Sequence, residues 1–461
     1  MQAPFDIAAD LDTPVSAYLK LTSLNPRFLL ESVEGGERLA RYSFLGFGDA
    51  LEVRLDGRAF SIGEDLRERP KNQAEYLDLL RAALAVAPSP KPVVEGLPFS
   101  GGLVGVSGYD VVRLFERLPQ HTAPQVGIPE AAFTAPSSAL VFDHLTRRVA
   151  LLHDGPDAER QALRKEVIRL LRGAVPFNGN AIKTSEATGS MTRKEFVERV
   201  EACKEYIAAG DIYQIVLSVL FRGESNVAPF EVYRALRLLN PSPYMFYLEF
   251  GDLKVVGSSP EALVKLNGRR ASLRPIAGTL PRGQTSDEDR QNEIALLDDP
   301  KESAEHVMLV DLARNDLGRV AVPGTVHVDP YRAIERYSHV MHIVSGVQGE
   351  LAPEYDAFDL FAASFPAGTL VGAPKVRAME IIEEMEDVGR GLYAGTAGYY
   401  GSGGDMDQAI TIRTLVFNGN EYSYQAGAGL VADSVPAREY KEVLAKSAIL
   451  RRALEIAGDG L

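Results

Sequence analysis

Short strand-like runs crowd the second half of the chain, and they limit its fold more than any other feature. Most of them are bounded by glycine, asparagine, aspartate or proline. Between residues 212 and 429 they are IYQIVLSVLF, YMFYLEF, LKVVG, HVMHIVSGVQG, YAGTAGYYG, AITIRTLVF and EYSYQAGAG. Strands often follow one another without a helix between them, which favours antiparallel sheets over a regular βαβ repeat.

Helical patterns lie between these runs. Apolar residues recur at helical spacing in residues 157–172, 229–239, 287–297, 300–317, 374–386 and 436–457. A further helix begins after Thr192, where Glu195 completes a capping-box pattern, and ends at Gly210. The N-terminal part is predicted to form mainly strands and turns. The sequence therefore predicts an α+β fold, with large antiparallel β-sheets packed face to face and helices outside.

A polar, turn-rich stretch divides the chain. It covers residues 173–190 and follows the charged helix predicted at 157–172. We predict an N-terminal region of residues 1–172, a linker of residues 173–190 and a C-terminal region of residues 191–461. The length of 461 residues agrees with two or three domain-sized units at about 150 residues each.

Charge and hydrophobicity exclude several kinds of partner. The chain has 63 acidic and 49 basic residues, a net charge of -14, so its field repels nucleic acid and anionic lipid. The longest run without a charge, residues 360–374, contains Pro366 and is shorter than the ~18 residues of a membrane span. Acidic residues stand where a signal peptide has a basic segment. We expect a cytoplasmic protein that binds neither nucleic acid nor membrane.

Cys203 is the only cysteine, which excludes an intrachain disulfide and a multi-thiolate metal site. It falls with Phe196, Val200 and Ile207 on the apolar stripe of the helix that follows Thr192. No basic residue shares that face, so a small core residue explains Cys203 better than a nucleophile. Any metal must therefore bind to oxygen or histidine ligands.

Two predicted helices begin with the same spacing of glutamates. Glu302 and Glu305 share one helical face, and Glu439 and Glu442 repeat the arrangement. Two such helices meeting across a cleft could hold one Mg²⁺ through one or two carboxylates, leaving positions for water and an anionic substrate. The alternative is that these glutamates are solvated and complement the helix dipole. The segment HVMLVDLA is apolar nearly all round, which predicts a buried helix and favours the metal.

Two glycine-rich segments, an arginine and two histidines are compatible with binding of an anionic ligand, but each also has a structural explanation. The glycines of PIAGT and QAGAG would let backbone N–H groups approach a carboxylate. Arg413, predicted in a strand, needs a carboxylate from a ligand or from an internal salt bridge. His339 and His342 point to opposite faces of a strand, so one of them is an acid or base, or both are structural. GAGLVA is a weak dinucleotide-binding match, because no helix follows at once.

Taken together, the longer motifs resemble one known family. In chain order they are GDIYQIVLS, GSSPEALVKL, RPIAGTLPRG, ESAEHVMLVDLARNDLGRV, YSHVMHIVSGV, FPAGTLVGAPKVRAMEII, YAGTAGYYG, AITIRT and QAGAGLVADSVPAREYKEV. They resemble the chorismate-utilising enzymes, and within these the anthranilate synthase component I family, over nearly the whole chain. The resemblance implies conversion of chorismate and ammonia to anthranilate and pyruvate, the first step of L-tryptophan biosynthesis.

The resemblance also implies roles for individual residues. The implied Mg²⁺ ligands are Glu305 and Glu442, with Glu302 and Glu439 reaching the ion through water. The implied substrate-binding residues are Gly278, Thr279, Tyr393, Arg413, Gly427, Ala428 and Gly429. The implied catalytic residues are Glu261 as general acid, His342 and Thr279. The implied L-tryptophan inhibitor site contains Ser32, Pro243, Tyr244 and Met245.

Two positions separate branches of the family. Isochorismate synthases carry a lysine base at the position of Gln214, and aminodeoxychorismate synthases usually carry a nucleophilic lysine at the position of Ala277. Both lysines are missing, which leaves ammonia as the direct nucleophile. The main alternative is an aminodeoxychorismate synthase of the folate branch. A catalytically inactive tryptophan-binding regulator and a dinucleotide-dependent oxidoreductase are the others.

The resemblance further implies a partner. Use of glutamine as the ammonia source requires a glutaminase with a nucleophilic cysteine. The matching motifs already fill this chain, and Cys203 lies on a core stripe. We therefore expect a separate glutamine amidotransferase subunit, in a heterodimer or heterotetramer.

Overall fold

A computed structural model of the chain describes residues 4–33, 41–176, 182–336 and 340–460. Its strands are β1 Ile7–Ala8, β2 Pro26–Glu31, β3 Tyr42–Leu55, β4 Ala59–Ile62, β5 Asp65–Glu68, β6 Gly102–Ser107, β7 Ala131–Asp143, β8 Arg148–His153, β9 Thr188–Gly189, β10 Gln214–Glu224, β11 Tyr244–Phe250, β12 Leu253–Ser259, β13 Ala262–Asn267, β14 Arg270–Leu273, β15 Ile276–Pro281, β16 His327–Val328, β17 Ala333–Arg336, β18 Val340–Val344, β19 Val347–Glu350, β20 Gly372–Ala373, β21 Thr396–Gly401, β22 Met406–Ile410, β23 Thr414–Asn418 and β24 Glu421–Leu430. Its helices are α1 Pro14–Lys20, α2 Gln73–Val86, α3 Asp157–Leu171, α4 Arg193–Ala209, α5 Pro229–Leu239, α6 Ser286–Asp298, α7 Pro300–Gly318, α8 Ala357–Ser364, α9 Gly368–Val371, α10 Lys375–Met385 and α11 Pro436–Asp459.

Most strands belong to one large antiparallel sheet that curls over itself. Neighbouring strands run in the order β20-β10-β24-β23-β12-β11-β2-β3-β7-β6-β21-β22-β13-β14-β19-β16. One hydrophobic core contains Leu217 and Leu415 from one half of this order and Tyr400 from the other, so the two halves pack face to face. The predicted α+β fold with large antiparallel sheets is confirmed.

A separate three-stranded sheet stands beside the large one. It has the order β15-β18-β17, and all its pairings are antiparallel. α6 and α7 both contact β15. The small sheet is thereby fixed to α7, the helix that begins with Glu302 and Glu305.

The strongly periodic helices were predictable and several short elements were not. α5 has the predicted bounds, and α4 has the predicted capping box of Thr192 and Glu195 with Gly210 as left-handed cap. The helical patterns of the sequence did not include α8, in which all residues but one are buried apolar or small side chains, so no polar face marks its period. Nor did the strand patterns include β7, whose Ala- and Ser-rich sequence conceals a 13-residue central strand.

Two strand predictions and one helix prediction were wrong in detail. HVMHIVSGVQG forms two strands, β18 and β19, which belong to different sheets. AITIRTLVF is broken into β22 and β23 by Arg413, whose backbone φ of 49° lies in the left-handed region. α7 is not buried all round, because Val307 is 41% exposed on its outer face.

Strands from both predicted regions share the large sheet. β2 and β6, from residues 1–172, pair with β11 and β21, from residues 191–461. The division at residues 173–190 stays a prediction. Among the described residues, no helix is long and apolar enough to cross a membrane.

Candidate active site

Glu261 lies between β12 and β13, in the wall of a cavity of about 170 Å³ that we call the inner cavity. The Thr369 hydroxyl donates a hydrogen bond of 3.1 Å to Glu261 Oε1. Burial raises the pKa of the Glu261 carboxyl to about 7, although Thr369 and the charges of Arg413 and Lys446 act to lower it. A carboxyl that keeps its proton near neutral pH is suited to general acid catalysis.

The opposite wall of the inner cavity is formed by β24 and by two polar side chains. Tyr393 and Arg413 line the cavity together with Gly427 and Gly429. A Cβ atom added to Gly427 would lie 2.7 Å from the Tyr393 hydroxyl, so only glycine fits there. Ala428, between the two glycines, has its side chain in the hydrophobic core, so it can serve a ligand only through its backbone.

Arg413 has a left-handed backbone conformation and lies at the break between β22 and β23, beside the inner cavity. The pairing of β23 with β24 begins where Leu415 stands opposite Tyr424 and continues away from the cavity. β10, in contrast, stays paired with β24 along the whole QAGAG segment. Among the described residues, no strand therefore pairs with the other edge of that segment beyond the break at Arg413. Gly427 and Gly429 of this segment line the inner cavity, which is large enough for a small ligand.

His342, Gly278 and Thr279 come together on the small sheet. The register of β15 against β18 shifts between Ala277 and Thr279, and Gly278 there has a φ of 68°. His342 Nδ1 lies 2.9 Å from the Gly278 carbonyl oxygen and 3.0 Å from Thr279 Oγ1. Because the carbonyl only accepts, Nδ1 donates this bond and carries a proton. His339 lies outside the described residues.

The small sheet, α7 and the large sheet meet at the first glutamate pair. A Cβ atom on Gly278 would lie 3.1 Å from Glu302 Oε2. The Gln214 amide of β10 donates a 3.1 Å hydrogen bond to Glu305 Oε1, and the same amide nitrogen would lie 3.1 Å from a Cβ atom on Gly429. These contacts place the predicted metal ligands of α7 between the His342 cluster and the glycines of β24.

The second glutamate pair reaches the inner cavity through Lys446. The Lys446 ammonium lies 2.7 Å from Glu442 Oε1 and donates a 3.2 Å hydrogen bond to the Gly427 carbonyl oxygen. The pKa of Glu439 is raised, first by burial and also by Glu442, while the charge of Lys301 on α7 lowers it. The starts of α7 and α11 are therefore close enough for the charge of Lys301 to act on Glu439.

The donor set of these helices fits a hard divalent cation. Its candidate ligands are carboxylate oxygens. Burial raises the pKa of the Glu302 carboxyl, as do the charges of Glu305 and Asp299, while the charge of Lys301 lowers it. Among the described residues, no three histidine, cysteine or carboxylate groups gather closely enough to hold an ion by themselves. An ion there would share one or two carboxylates with water and substrate, which is how Mg²⁺ is usually bound.

Three residues of the site were not predicted. Thr369 bonds the general acid candidate, Lys446 lines the inner cavity, and Gln425 lines it from β24. Of these three, only Lys446 could have been found from the sequence, because it lies one helical turn after Glu442 and can pair with it. Thr369 lies on α9, a single turn whose position depends on packing.

Comparison with known proteins gives the family of this chain. The family described as chorismate binding enzyme matches residues 25–452. Anthranilate synthase component 1 of Thermus thermophilus is 46% identical over 458 residues, covering 98% of this chain and 97% of that protein. The chain belongs to the anthranilate synthase component 1 family. The protein of the same name from Aquifex aeolicus is 44% identical over 467 residues, covering 98% of this chain and 94% of its own.

Two solved structures share the fold of this chain, and one of them has the same family name. Anthranilate synthase component I from Streptococcus pneumoniae has a TM-score of 0.79 and 35% identity, over 98% of this chain and all of that one. MenF, an isochorismate synthase from Escherichia coli, has a TM-score of 0.71 at 20% identity, over 96% of this chain and 92% of that one, and shares the fold.

The residues predicted to bind L-tryptophan also lie together in this member of the family. β2 pairs with β11 so that Glu31 stands opposite Met245, and Val33 N donates to the Ser242 carbonyl oxygen at 3.2 Å. Ser32 is therefore next to Pro243, Tyr244 and Met245, although residues 34–40 lie outside the described part of the chain. Their role as an inhibitor site stays a prediction.

Proposed function

We propose that this chain is the chorismate-converting subunit of an anthranilate synthase, which forms anthranilate, pyruvate and water from chorismate and ammonia. The observation that carries the proposal is Glu261, a carboxyl with a pKa near 7 in the wall of a cavity that also presents Arg413. Hydroxide is a poor leaving group unless it is protonated, and a dianionic substrate needs a cation. Both requirements meet in this cavity.

Several groups would orient chorismate. Arg413 and Tyr393 bind the enolpyruvyl carboxylate, and the backbone N–H groups of Gly278, Thr279 and the segment 427–429 lie around the ring carboxylate. Glu305 and Glu442 would hold Mg²⁺ directly, with Glu302 and Glu439 reaching it through water. When bound, Mg²⁺ supplies positive charge for the ring carboxylate.

The reaction then needs one proton donor and one oriented base. Glu261 gives its proton to the C4 hydroxyl, which leaves as water while ammonia adds at C2. His342, oriented by Gly278 and Thr279, assists this elimination. Loss of the C2 proton and of the enolpyruvyl group as pyruvate then produces the aromatic ring of anthranilate.

Ammonia is the direct nucleophile because no lysine takes that role. Gln214 bonds Glu305, and Ala277 has only a methyl group. The one lysine that lines the inner cavity among the described residues, Lys446, is paired with Glu442. These positions favour anthranilate over the isochorismate and aminodeoxychorismate outcomes.

A partner and an inhibitor complete the proposal. Cys203 is fully buried and its thiol pKa is raised to about 12, so it is no glutaminase nucleophile. Glutamine-dependent synthesis therefore uses a separate glutamine amidotransferase subunit, in a heterodimer or heterotetramer in the cytoplasm. L-Tryptophan inhibits by binding beside Ser32 and residues 243–245.

Anthranilate fluorescence tests the proposal. Purified protein with chorismate, Mg²⁺ and an ammonium salt at alkaline pH is expected to produce anthranilate. An aminated intermediate that accumulates instead would favour the aminodeoxychorismate synthase. Complete lack of turnover with intact chorismate binding would overturn the enzyme assignment and favour a regulator.

A further inference from the structure

Three cavities adjoin one another between the protein surface and Glu261. An outer groove of about 590 Å³ opens between the loop 125–128 and strands β10, β23 and β24. A middle cavity of about 20 Å³ lies beneath it. The groove and the middle cavity share the lining residues Gln125, Ile128, Val416 and Ser423. The middle cavity shares Tyr393 and Gln425 with the inner cavity, so the three form a row.

The size of the middle cavity decides what can pass. A volume of about 20 Å³ holds one molecule the size of water and excludes chorismate. Leu220 and Leu392 supply apolar wall, and the Thr411 hydroxyl donates to the Leu392 carbonyl oxygen. Arg390 also lines this cavity, with its guanidinium paired to Glu386, so the one charge that the described residues place in the wall is positive. No carboxylate lines this cavity among the described residues. A buried passage of this kind penalises an ion, so it suits a small neutral molecule.

Gln425 stands where the middle and inner cavities join. Its side chain is 6% exposed, and its amide nitrogen donates a 2.8 Å hydrogen bond to Ser218 Oγ. Ser218 in turn donates to Glu386 at 2.7 Å, which fixes the direction of the amide. Gln425 Oε1 is buried and finds no donor among the described residues. A buried acceptor without a partner is rare, and Gln425 lines a space that fits one small donor.

We propose that the middle cavity is the route by which ammonia reaches the inner cavity while chorismate is bound, with Gln425 Oε1 accepting one of its N–H groups on the way. The passage takes neutral ammonia and not ammonium, because ammonium would lose its hydration without meeting a carboxylate. This inference rests on the proposed function, since only an amination consumes ammonia.

Two variants test the route from different elements. Val416→Phe on β23 and Ile128→Phe on the loop each place a ring where the groove meets the middle cavity. With saturating chorismate and ammonium chloride as nitrogen source, each is expected to lower kcat/KM for ammonia about tenfold or more, with the KM for chorismate unchanged. Val126→Phe is the matched control, because Val126 lines the same groove but is 90% exposed, and it should behave as wild type.

A second arm supplies glutamine and the amidotransferase subunit. If the ring variants lose activity only with ammonium chloride, the passage carries ammonia from bulk solvent. If they lose activity with both nitrogen sources, ammonia from the partner subunit takes the same route. Either result supports the passage. Unchanged kcat/KM for ammonia in both ring variants, or equal losses for ammonia and chorismate, would overturn it. If wild-type protein produces no anthranilate at all, the proposed function has failed and not the passage.

Discussion

Gln214 of β10 bonds Glu305 of α7 at 3.1 Å, and this contact ties the large sheet to the helix that carries one pair of predicted metal ligands. The other side-chain atom, Gln214 Oε1, is buried without a partner among the described residues. The amide therefore has one defined task, which is to hold the Glu305 carboxylate in place. A lysine at this position would instead neutralise Glu305 and bring in an amine.

The first prediction concerns Glu305. Glu305→Gln keeps the size of the side chain but removes the charge, so we expect Mg²⁺ affinity and anthranilate formation to fall by roughly 100-fold, with the fold retained. A Mg²⁺ titration of the activity, with circular dichroism for the fold, measures this. Asp311→Asn removes a charge from the exposed face of the same helix and should leave both quantities unchanged. If Glu305→Gln binds Mg²⁺ as tightly as wild type does, Glu305 is not a metal ligand.

The second prediction concerns Glu261 as proton donor. Glu261→Gln retains a hydrogen bond to Thr369 but cannot release a proton. We expect kcat to fall by about 10²- to 10⁴-fold, while the KM for chorismate changes little. Steady-state kinetics at saturating ammonium measures this, and Thr369→Val gives a comparison that removes only the bond to Glu261. Activity of Glu261→Gln within a few-fold of wild type would show that the proton comes from elsewhere.

The second prediction extends to stability, because the pKa of Glu261 is raised in the folded protein. The carboxyl titrates near 7 in the folded protein and near its usual 4.5 when unfolded, so the folded state holds its proton more tightly. The contribution of this carboxyl to the free energy of unfolding is complete below the pKa of the unfolded state, and it is lost as the pH rises toward 7. Glu261→Gln should therefore gain up to about 3 kcal/mol relative to wild type at pH 8 and almost nothing at pH 4. Urea unfolding at both pH values measures the difference, and an equal effect at both would contradict the raised pKa.

These outcomes show what a sequence can and cannot predict here. The glutamates at the starts of α7 and α11 were found because capping and helical spacing are local. Thr369, which bonds Glu261, was not, since it lies on a single helical turn. Arg413 was predicted as a ligand-binding residue, but the break that its left-handed backbone makes between two strands was not. β7 was missed because small residues fill a strand covered on both faces, where alternation disappears. Local periodicity in the sequence predicts individual helices and strands, whereas the cavity is formed by the way these elements pack against one another.

The third prediction tests the nucleophile. Ala277 is buried in β15 beside the shift in register at Gly278. Ala277→Lys should let the amine capture chorismate at C2, visible as an increase in protein mass, with less free anthranilate. Ala277→Met adds similar bulk without an amine and should show no adduct. The absence of an adduct together with unaltered anthranilate formation would contradict the position assigned to Ala277.

The fourth prediction concerns Cys203. Because the thiol is fully buried and its pKa is raised to about 12, it should not react with iodoacetamide in the folded protein and should react once in urea. Cys203→Ser should keep ammonium-dependent activity. Mass spectrometry of the labelled protein measures the first point. Rapid labelling of native protein, or loss of glutamine-dependent activity alone in Cys203→Ser, would argue against a glutaminase on another chain.

The fifth prediction concerns feedback. Ser32 follows Glu31, a buried carboxylate held by Tyr233 and by Arg237 at 3.0 Å, so its backbone position is firmly fixed beside Met245. A larger side chain at position 32 would occupy space beside residues 243–245. We expect Ser32→Leu to weaken inhibition by L-tryptophan about tenfold or more while ammonium-dependent kcat stays unchanged.

A matched control separates this effect from a general loss of stability. Ser23→Leu makes the same change on an exposed 3₁₀ turn of the same N-terminal segment and should leave inhibition as in wild type. Isothermal titration of L-tryptophan into each variant reports binding independently of turnover. If Ser32→Leu binds L-tryptophan as tightly as Ser23→Leu does, the inhibitor does not lie between β2 and β11, and the pairing of these strands has only a structural purpose.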